Sequence, residues 1–424
     1  MPQRKDYTND AEHHGKFQVW LQAGSFQGKA RDGAAERQQR VSAQYEKRVL
    51  GFDAWIQKQG YPSFCKPPFF EGWYTRIIAE SKSFGVIFGH VFAGSAGDSG
   101  KGPLPTTYVA LLRAADVGEP MEVHNCYPNG RNVTIGGQPV NSPPDVQGPP
   151  AFEWRSSAGA FIVTAEETSI DITCDGVRFV AELDGATPWS AGGYGPGGRL
   201  SQLPLPLHWF VYSLRSRVRR YVWSSTAGVS DEGVDAWAHQ EKNHGKAFPS
   251  SWTWSQALDT TSGAALALSG GPLFEGLPPA YLVGYRHPAG SGIAIDFAPA
   301  NGKLSAEVNG CDGSLRLVGT HPLTGHRLEA NVTARPSELR RCLLGPTATG
   351  FAPVCVESYA ANASVAVYQW GRRLVSSEIT SAALEFGGDY ICKQRNPCHA
   401  PSPTVPTQPM GNATAAAAIA TAAT

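Results

Sequence analysis

Charge is what this sequence has least of. Only 17% of its 424 residues are Asp, Glu, Lys or Arg, and 36 basic side chains are balanced by 36 acidic ones. Such a chain projects no long-range field toward a polyanion, so nucleic acid is not an expected partner. A run of roughly 20 apolar residues, the length a helix needs to span a bilayer, is also missing. Cysteines occur at 65, 126, 174, 311, 342, 355, 392 and 398 without any Cys-x-x-Cys pair. That spacing removes the usual zinc ribbons and fingers, and thiols so scattered are expected to be reduced and buried. Metalloprotease, EF-hand and P-loop patterns are absent, so neither a metal nor another cofactor is expected. The N-terminus has no apolar run like that of a signal peptide, so the sequons at Asn132, Asn331, Asn362 and Asn412 read as chance. Asp6, Asp10 and Glu12 argue against a conventional transit peptide.

What the chain has in quantity points to β-structure. Gly (47), Pro (32) and 10% aromatic residues suit short strands between turns. Strand-like runs begin at Phe69–Ile78, Phe84–Phe92 and Thr107–Arg113, and continue through Phe161–Thr164, Ser169–Thr173, Val177–Leu183, His208–Leu214, Arg219–Ser224 and Trp252–Leu258. A second series runs from Ala280–Tyr285 to Ala382–Phe386. Their even spacing without interleaved helices predicts sandwiches or barrels, and their number suits two. The boundary is expected in the Gly/Ala/Ser-rich stretch Thr261–Gly271, giving domains over 62–265 and 266–392. Before them, Val41, Tyr45, Val49, Phe52 and Ile56 mark one face of an amphipathic helix within a flexible 1–61 segment. From Lys393 a Pro/Ala/Thr-rich tail without a packed core is expected.

Two motifs are decoys. Gly193, Gly195 and Gly198 spell a dinucleotide fingerprint, but Pro196, Pro204 and Pro206 prevent the helix it requires. Ser99 sits in a protease-like Gly-Asp-Ser-Gly without a suitable upstream histidine. The alternating Arg215, Arg217 and Arg219, with Arg220, read as a solvated strand face or as a patch touching anionic lipid headgroups.

Three segments carry chemistry: Phe69-Phe70-Glu71-Gly72-Trp73-Tyr74, then Gln240-Glu241-Lys242-Asn243-His244-Gly245 leading to Trp252-Thr253-Trp254, then Ser377 through Glu385-Phe386-Gly387-Gly388. On a strand Glu71 and Trp73 share one face while Phe70, Gly72 and Tyr74 share the other. An acid beside an indole on an inward face is a candidate proton donor, because apolar surroundings raise a carboxyl pKa; a buried Glu paired with Arg76 is the plainer alternative. Glu241, Lys242 and Asn243 are expected in a turn, and Trp252 and Trp254 on one face, walling a cavity or packing a core.

Taken together in this order and spacing, with Cys355-Val356-Glu357-Ser358, these segments resemble the signature regions of the tocopherol cyclase family over about Pro62 to Tyr390. His244 stands where that family usually has Trp. The resemblance implies two tandem lipocalin-like antiparallel β-barrels and an intramolecular lyase that closes a chromanol ring on a prenylated benzoquinol. It implies a small apolar prenylated quinol as the partner, and a plastid, plastoglobule-associated location, with cytoplasm the alternative. The acid would come from Glu71, Glu241 or His244, and the substrate would be held by Trp73, Tyr74, Lys242, Asn243, Trp252 and Trp254. Two other readings fit the same cavity: a non-catalytic carrier of prenyl lipids, and a related pericyclase of secondary metabolism.

Overall fold

The computed structural model describes residues 68–399, apart from 81, 93–105, 115–117, 130–133, 136–137, 140–151, 165, 188, 190–204, 247, 274–275 and 288–291. The helix expected around Val41 to Ile56, the Gly-rich stretch at 193–198 and the tail beyond 399 lie outside the described residues. The chain is all-β, in two antiparallel sheets.

The first sheet holds β1 (Phe69–Ile78), β2 (Ser83–Phe92), β3 (Thr107–Arg113), β4 (Glu122–Cys126), β5 (Thr134–Ile135), β6 (Gln138–Pro139), β7 (Phe152–Ser156), β8 (Gly159–Val163), β9 (Glu167–Cys174), β10 (Val177–Asp184), β11 (Leu207–Ser225), β12 (Ser230–Gly233) and β13 (Ala236–Gly245). Its order is β4-β3-β2-β1-β13-β11-β10-β9-β8-β7-β5-β6, with β12 beside β11. The second holds β14 (Ser251–Leu258), β15 (Ala265–Gly271), β16 (Ala280–Arg286), β17 (Ala294–Phe297), β18 (Lys303–Asn309), β19 (Ser314–Thr320), β20 (His326–Thr333), β21 (Cys342–Thr347), β22 (Gly350–Gln369) and β23 (Arg372–Gly388). Its order is β17-β16-β15-β14-β23-β22-β20-β19-β18, with β21 beside β22.

Each sheet curls on itself around its own core. In the first, β3 and β4 come round to β9, enclosing Trp73, Phe88, Trp154, Phe161, Phe179 and Trp223. The second encloses Leu266, Tyr285, Leu317, Leu328, Val365 and Phe386. A third cluster, with Phe70, Trp209, Trp252, Trp254, Phe351 and Tyr359, lies between the two barrels. Fully burying each such side chain contributes about 1.5–3 kcal/mol, so this interface is a core in its own right. It depends on glycine: Gly85 and Gly89 stand four apart on the same face of β2. A Cβ on Gly85 would collide with the Tyr359 hydroxyl, and one on Gly89 would lie 2.5 Å from Phe351 Cζ.

Several expectations need correction. The sheets part between Gly245 and Ser251, earlier than the Gly/Ala/Ser-rich stretch, because β14 and β15 are hydrogen-bonded within the second sheet. That stretch is itself a strand whose Leu266 and Leu268 enter the second core while Ala265 and Ala267 pack between the barrels. Residues 122–126, where no strand was expected, form the edge strand β4 beside β3. Lys393 onward starts with two short 3₁₀ turns, Lys393–Arg395 and Pro397–His399, before the described residues end.

The cysteines are bridged. Cys126–Cys174 joins β4 to β9 across the seam of the first barrel, while Cys311–Cys392 and Cys342–Cys398 fasten the segment after β23 to the second. Cys355 is buried and free, and Cys65 lies outside the described residues. Partners remote in sequence meet only once the sheets have curled, which spacing alone does not disclose. The arginine run lies on β11, where Arg217 bonds Asp235 at 2.6 Å and Arg219 pairs with Glu167, while Arg215 lies over Trp237. No helix among the described residues is long and apolar enough to cross a membrane.

Candidate active site between the barrels

Strands β1 and β13 form the wall shared by the first barrel and the interface. Their register sets Tyr74 opposite Glu241, Trp73 opposite Lys242, Gly72 opposite Asn243 and Glu71 opposite His244. Directly opposed residues point the same way, and neighbours along a strand point oppositely. The candidate residues therefore divide between two sites placed back to back. Glu241, Lys242 and Asn243, expected in a turn, belong to the strand β13, which is why Glu241 and Lys242 face opposite sides.

The site between the barrels is a largely apolar cleft. Tyr74, Glu241, Asn243, Trp252 and Trp254 line it, joined by Glu357 and Glu385 from the second sheet. Glu357 and Glu385 are opposite one another on β22 and β23, and Trp254 is opposite Glu385 on β14. The Tyr74 hydroxyl donates to Glu357 Oε1 at 3.2 Å and lies 2.7 Å from the Tyr359 hydroxyl. Trp254 Nε1 donates to Glu241 Oε2 at 3.0 Å, and His239 Nε2 is 3.0 Å from the same oxygen. The Trp252 indole N–H donates to Glu385. Beneath them Arg76, wholly buried, donates to Gln256 Oε1 at 2.7 Å and stacks its guanidinium over the Tyr359 ring at 4.7 Å. Arg76 thus belongs to the interface and not to Glu71, the pairing weighed from sequence.

This setting makes Glu357 and Glu385 weaker acids than an exposed Glu. Burial lifts Glu385 to about 7, aided by Glu241 and opposed by hydrogen bonds from Trp252 and Cys355. Burial and then the charge of Glu385 push Glu357 well above the carboxylate range, against the pull of Arg76 and the Tyr74 hydroxyl. Burial likewise raises Tyr74 and Tyr359 far above an ordinary phenol, so both remain hydrogen-bond donors.

Inside the first barrel the second group gathers. Lys242 Nζ is 3.3 Å from Glu71 Oε1 and 4.7 Å from the centre of the Trp73 ring. His244 stacks on His208 with ring centres 4.7 Å apart. Burial raises Glu71 to about 7 and drives Lys242 well below its usual range. Burial, Lys242 and His208 together depress His244, leaving its imidazole neutral near pH 7. Among the described residues no three His, Cys, Asp or Glu side chains converge to hold a metal.

Sequence reasoning gave no role to Glu357, Glu385, Tyr359 or His239, and weighed Arg76 only as a partner for Glu71. Glu357 and Glu385 stood in motifs already singled out, and both keep the alternation of Cys355, Glu357 and Tyr359 or of Ala383, Glu385 and Gly387 on the cleft face. An acid at an apolar-facing position of a strand was the available signal.

The sequence pattern of the family described as tocopherol cyclase-like matches residues 197–388. That span includes Glu241, Trp252, Trp254, Glu357 and Glu385. No curated protein matches the chain. Similar solved structures include CghA, at 11% identity over 76% of this chain and 88% of that one, with a TM-score of 0.48. A protein described as AttH from Nitrosomonas europaea shares 12% identity over 75% of this chain and 92% of its own, with a TM-score of 0.43. Kievitone hydratase from Nectria haematococca shares 10% over 77% and 92%, with a TM-score of 0.39.

Proposed function

We propose that this protein, whose residues 197–388 match the tocopherol cyclase-like family, closes a chromanol ring on a prenylated benzoquinol in the cleft between its barrels. The observation that carries the reading is a pair of buried carboxyls, Glu357 and Glu385, paired across β22 and β23 against an aromatic wall, where burial raises both toward or above neutral pH. Alkene protonation needs an acid that is neutral at the working pH, and an exposed Glu is not.

One of these carboxyls gives its proton to the prenyl double bond nearest the ring, at the carbon that leaves a tertiary cation. The quinol oxygen attacks that cation, the C–O bond closes the six-membered ring, and the oxygen's proton returns to the carboxylate. Trp252, Trp254 and Tyr74 present faces and edges that stabilise positive charge and exclude water from it. Trp252 and Trp254 also aim Glu385 and Glu241 through their N–H groups. Tyr74 and Tyr359 link Glu357 to a row of phenols through which a proton can pass. Glu71, Lys242 and His244, facing the lumen of the first barrel, take no part in this scheme.

Incubating the pure protein with a reduced phytyl- or geranylgeranyl-benzoquinol and separating the products by chromatography tests the proposal. Chromanol formed faster than in buffer supports it. Tight binding of the quinol without turnover would leave the carrier reading in its place.

A further inference from the structure

We propose that this protein passes through an oxidising secretory compartment and carries an N-linked glycan on a patch formed by Asn331 and Asn362. The sequons Asn331-Val332-Thr333 and Asn362-Ala363-Ser364 come from distant parts of the chain, yet the fold lays them side by side. β20 and β22 are antiparallel neighbours whose register sets Asn331 opposite Ser364 and Thr333 opposite Asn362. Asn331, Thr333 and Asn362 are exposed, while Ala330, Val332 and Ala363 enter the core between them. Strand alternation thus places each Asn and its hydroxyl residue on the outer face, where a glycan attached before folding projects from the finished barrel. Asn331 Nδ2 also donates to Ser364 Oγ at 3.5 Å, tying one sequon to the other.

The face they occupy has room for a sugar. Next to Asn331 on β19 is the exposed Arg316, and next to Ser364 on β23 is the exposed Glu378. The interface with the first barrel uses β14, β15 and the parts of β22 and β23 near Cys355 and Ala383. The sequons stand near the middle of β22, beyond Tyr359, with Asn331, Thr333 and Asn362 exposed on the outward face, so a glycan there projects away from the cleft and the interface.

The compartment rests on a separate observation. Three disulfides, Cys126–Cys174, Cys311–Cys392 and Cys342–Cys398, join all six of the paired cysteines. Cytosolic proteins keep such thiols reduced, whereas chains that mature in the secretory pathway do not. That pathway is also where sequons are read. The chance reading of the sequons rested on the N-terminus alone, and these two structural facts outweigh it.

The transfer uses a lipid-diphosphate-linked oligosaccharide as co-substrate. Asn Nδ2 attacks the anomeric carbon, a C–N bond forms, the C–O bond to the diphosphate breaks, and the lipid diphosphate leaves. Nδ2 gives up one of its two protons to a base of the transferase, and no electrons change hands. Because both Asn lie in interior strands of a hydrogen-bonded ladder, transfer precedes folding of the second barrel.

The test uses the full chain purified from the cells that make it, treated with peptide N-glycosidase in heavy-oxygen water and mapped by mass spectrometry without reduction. Heavy-oxygen Asp at position 331, 362 or both, in protein that retains its three cross-links, is the expected result. The paired substitutions Thr333→Ala and Ser364→Ala keep both Asn and should abolish that signal, while cyclisation of the quinol stays unchanged. Unmodified Asn331 and Asn362 in fully cross-linked protein would overturn the glycan. Free thiols at the six cysteines would overturn the compartment as well.

Discussion

At the scale of residues, the decisive contrast is between carboxyls on opposite faces of one wall. Glu385 and Glu357 face the cleft, whereas Glu71 faces the lumen beside Lys242. Replacing the proton donor by Gln preserves its shape and removes its proton. Glu385→Gln or Glu357→Gln should therefore lower kcat by roughly 10²- to 10⁴-fold, with quinol affinity little changed. Glu71→Gln should leave kcat near wild type, and steady-state kinetics on the three variants checks all of this. The pH dependence has a definite sign. An unfolded Glu releases its proton near 4.5, but in the folded chain Glu385 keeps it to about 7. Folding thus takes up a proton between those values, and the stability Glu385 contributes is complete below about 4.5 and lost as pH rises through 7. The Tm of wild type relative to Glu385→Gln should fall between pH 5 and 8, and kcat should fall over the upper part of that range. A Tm difference that rises with pH would show that the carboxyl is ionised in the native state.

At the scale of elements, the packing of β2 against β22 across the interface holds the cleft in shape. Gly85 admits the Tyr359 ring that reaches Tyr74 and, through it, Glu357. Gly85→Val should displace that ring and destabilise the fold by about 1–3 kcal/mol. It should also cost more activity than the stability loss alone explains, which denaturant titration beside kinetics at low temperature would reveal. Elements also explain what could be read in the sequence. β1 was legible down to its faces, because Trp73 and Ile77 stand four apart on the lumen side while Phe70, Gly72 and Tyr74 alternate with them toward the cleft. β13 was not, since Gln240, Glu241, Lys242 and His244 are all buried and polar on both faces. A run of that kind has no apolar period and looks like a turn. β15 was mistaken for a linker because close packing against Trp252 and Tyr281 demands the small residues Gly270 and Gly271. The roles of Glu357 and Glu385 depend on burial between two sheets, which neither segment carries by itself.

At the scale of the whole molecule, covalent cross-links and the buried interface act together. The bridges span 48, 81 and 56 residues, loops for which each closure adds about 2–4 kcal/mol. Reduction should therefore lower the Tm markedly in calorimetry, and Cys126→Ala with Cys174→Ala should weaken the first barrel in particular. An unchanged Tm after complete reduction would show that the bridges do not limit stability.

The pairing of β1 with β13, and of β14 with β23, also sets a timetable for the molecule's birth. Residues 79–235 separate the first pair, so at the usual pace of translation the emerging β1 waits on the order of 10 s for its partner. During that interval one edge of the nascent sheet is open and needs shelter from other chains. Each barrel is closed by the last of its strands to leave the ribosome, and Glu385 lies on the final one. Any product of premature termination ahead of β23 lacks that carboxyl and the strand that seals its half of the cleft, so shortened chains begin life catalytically silent.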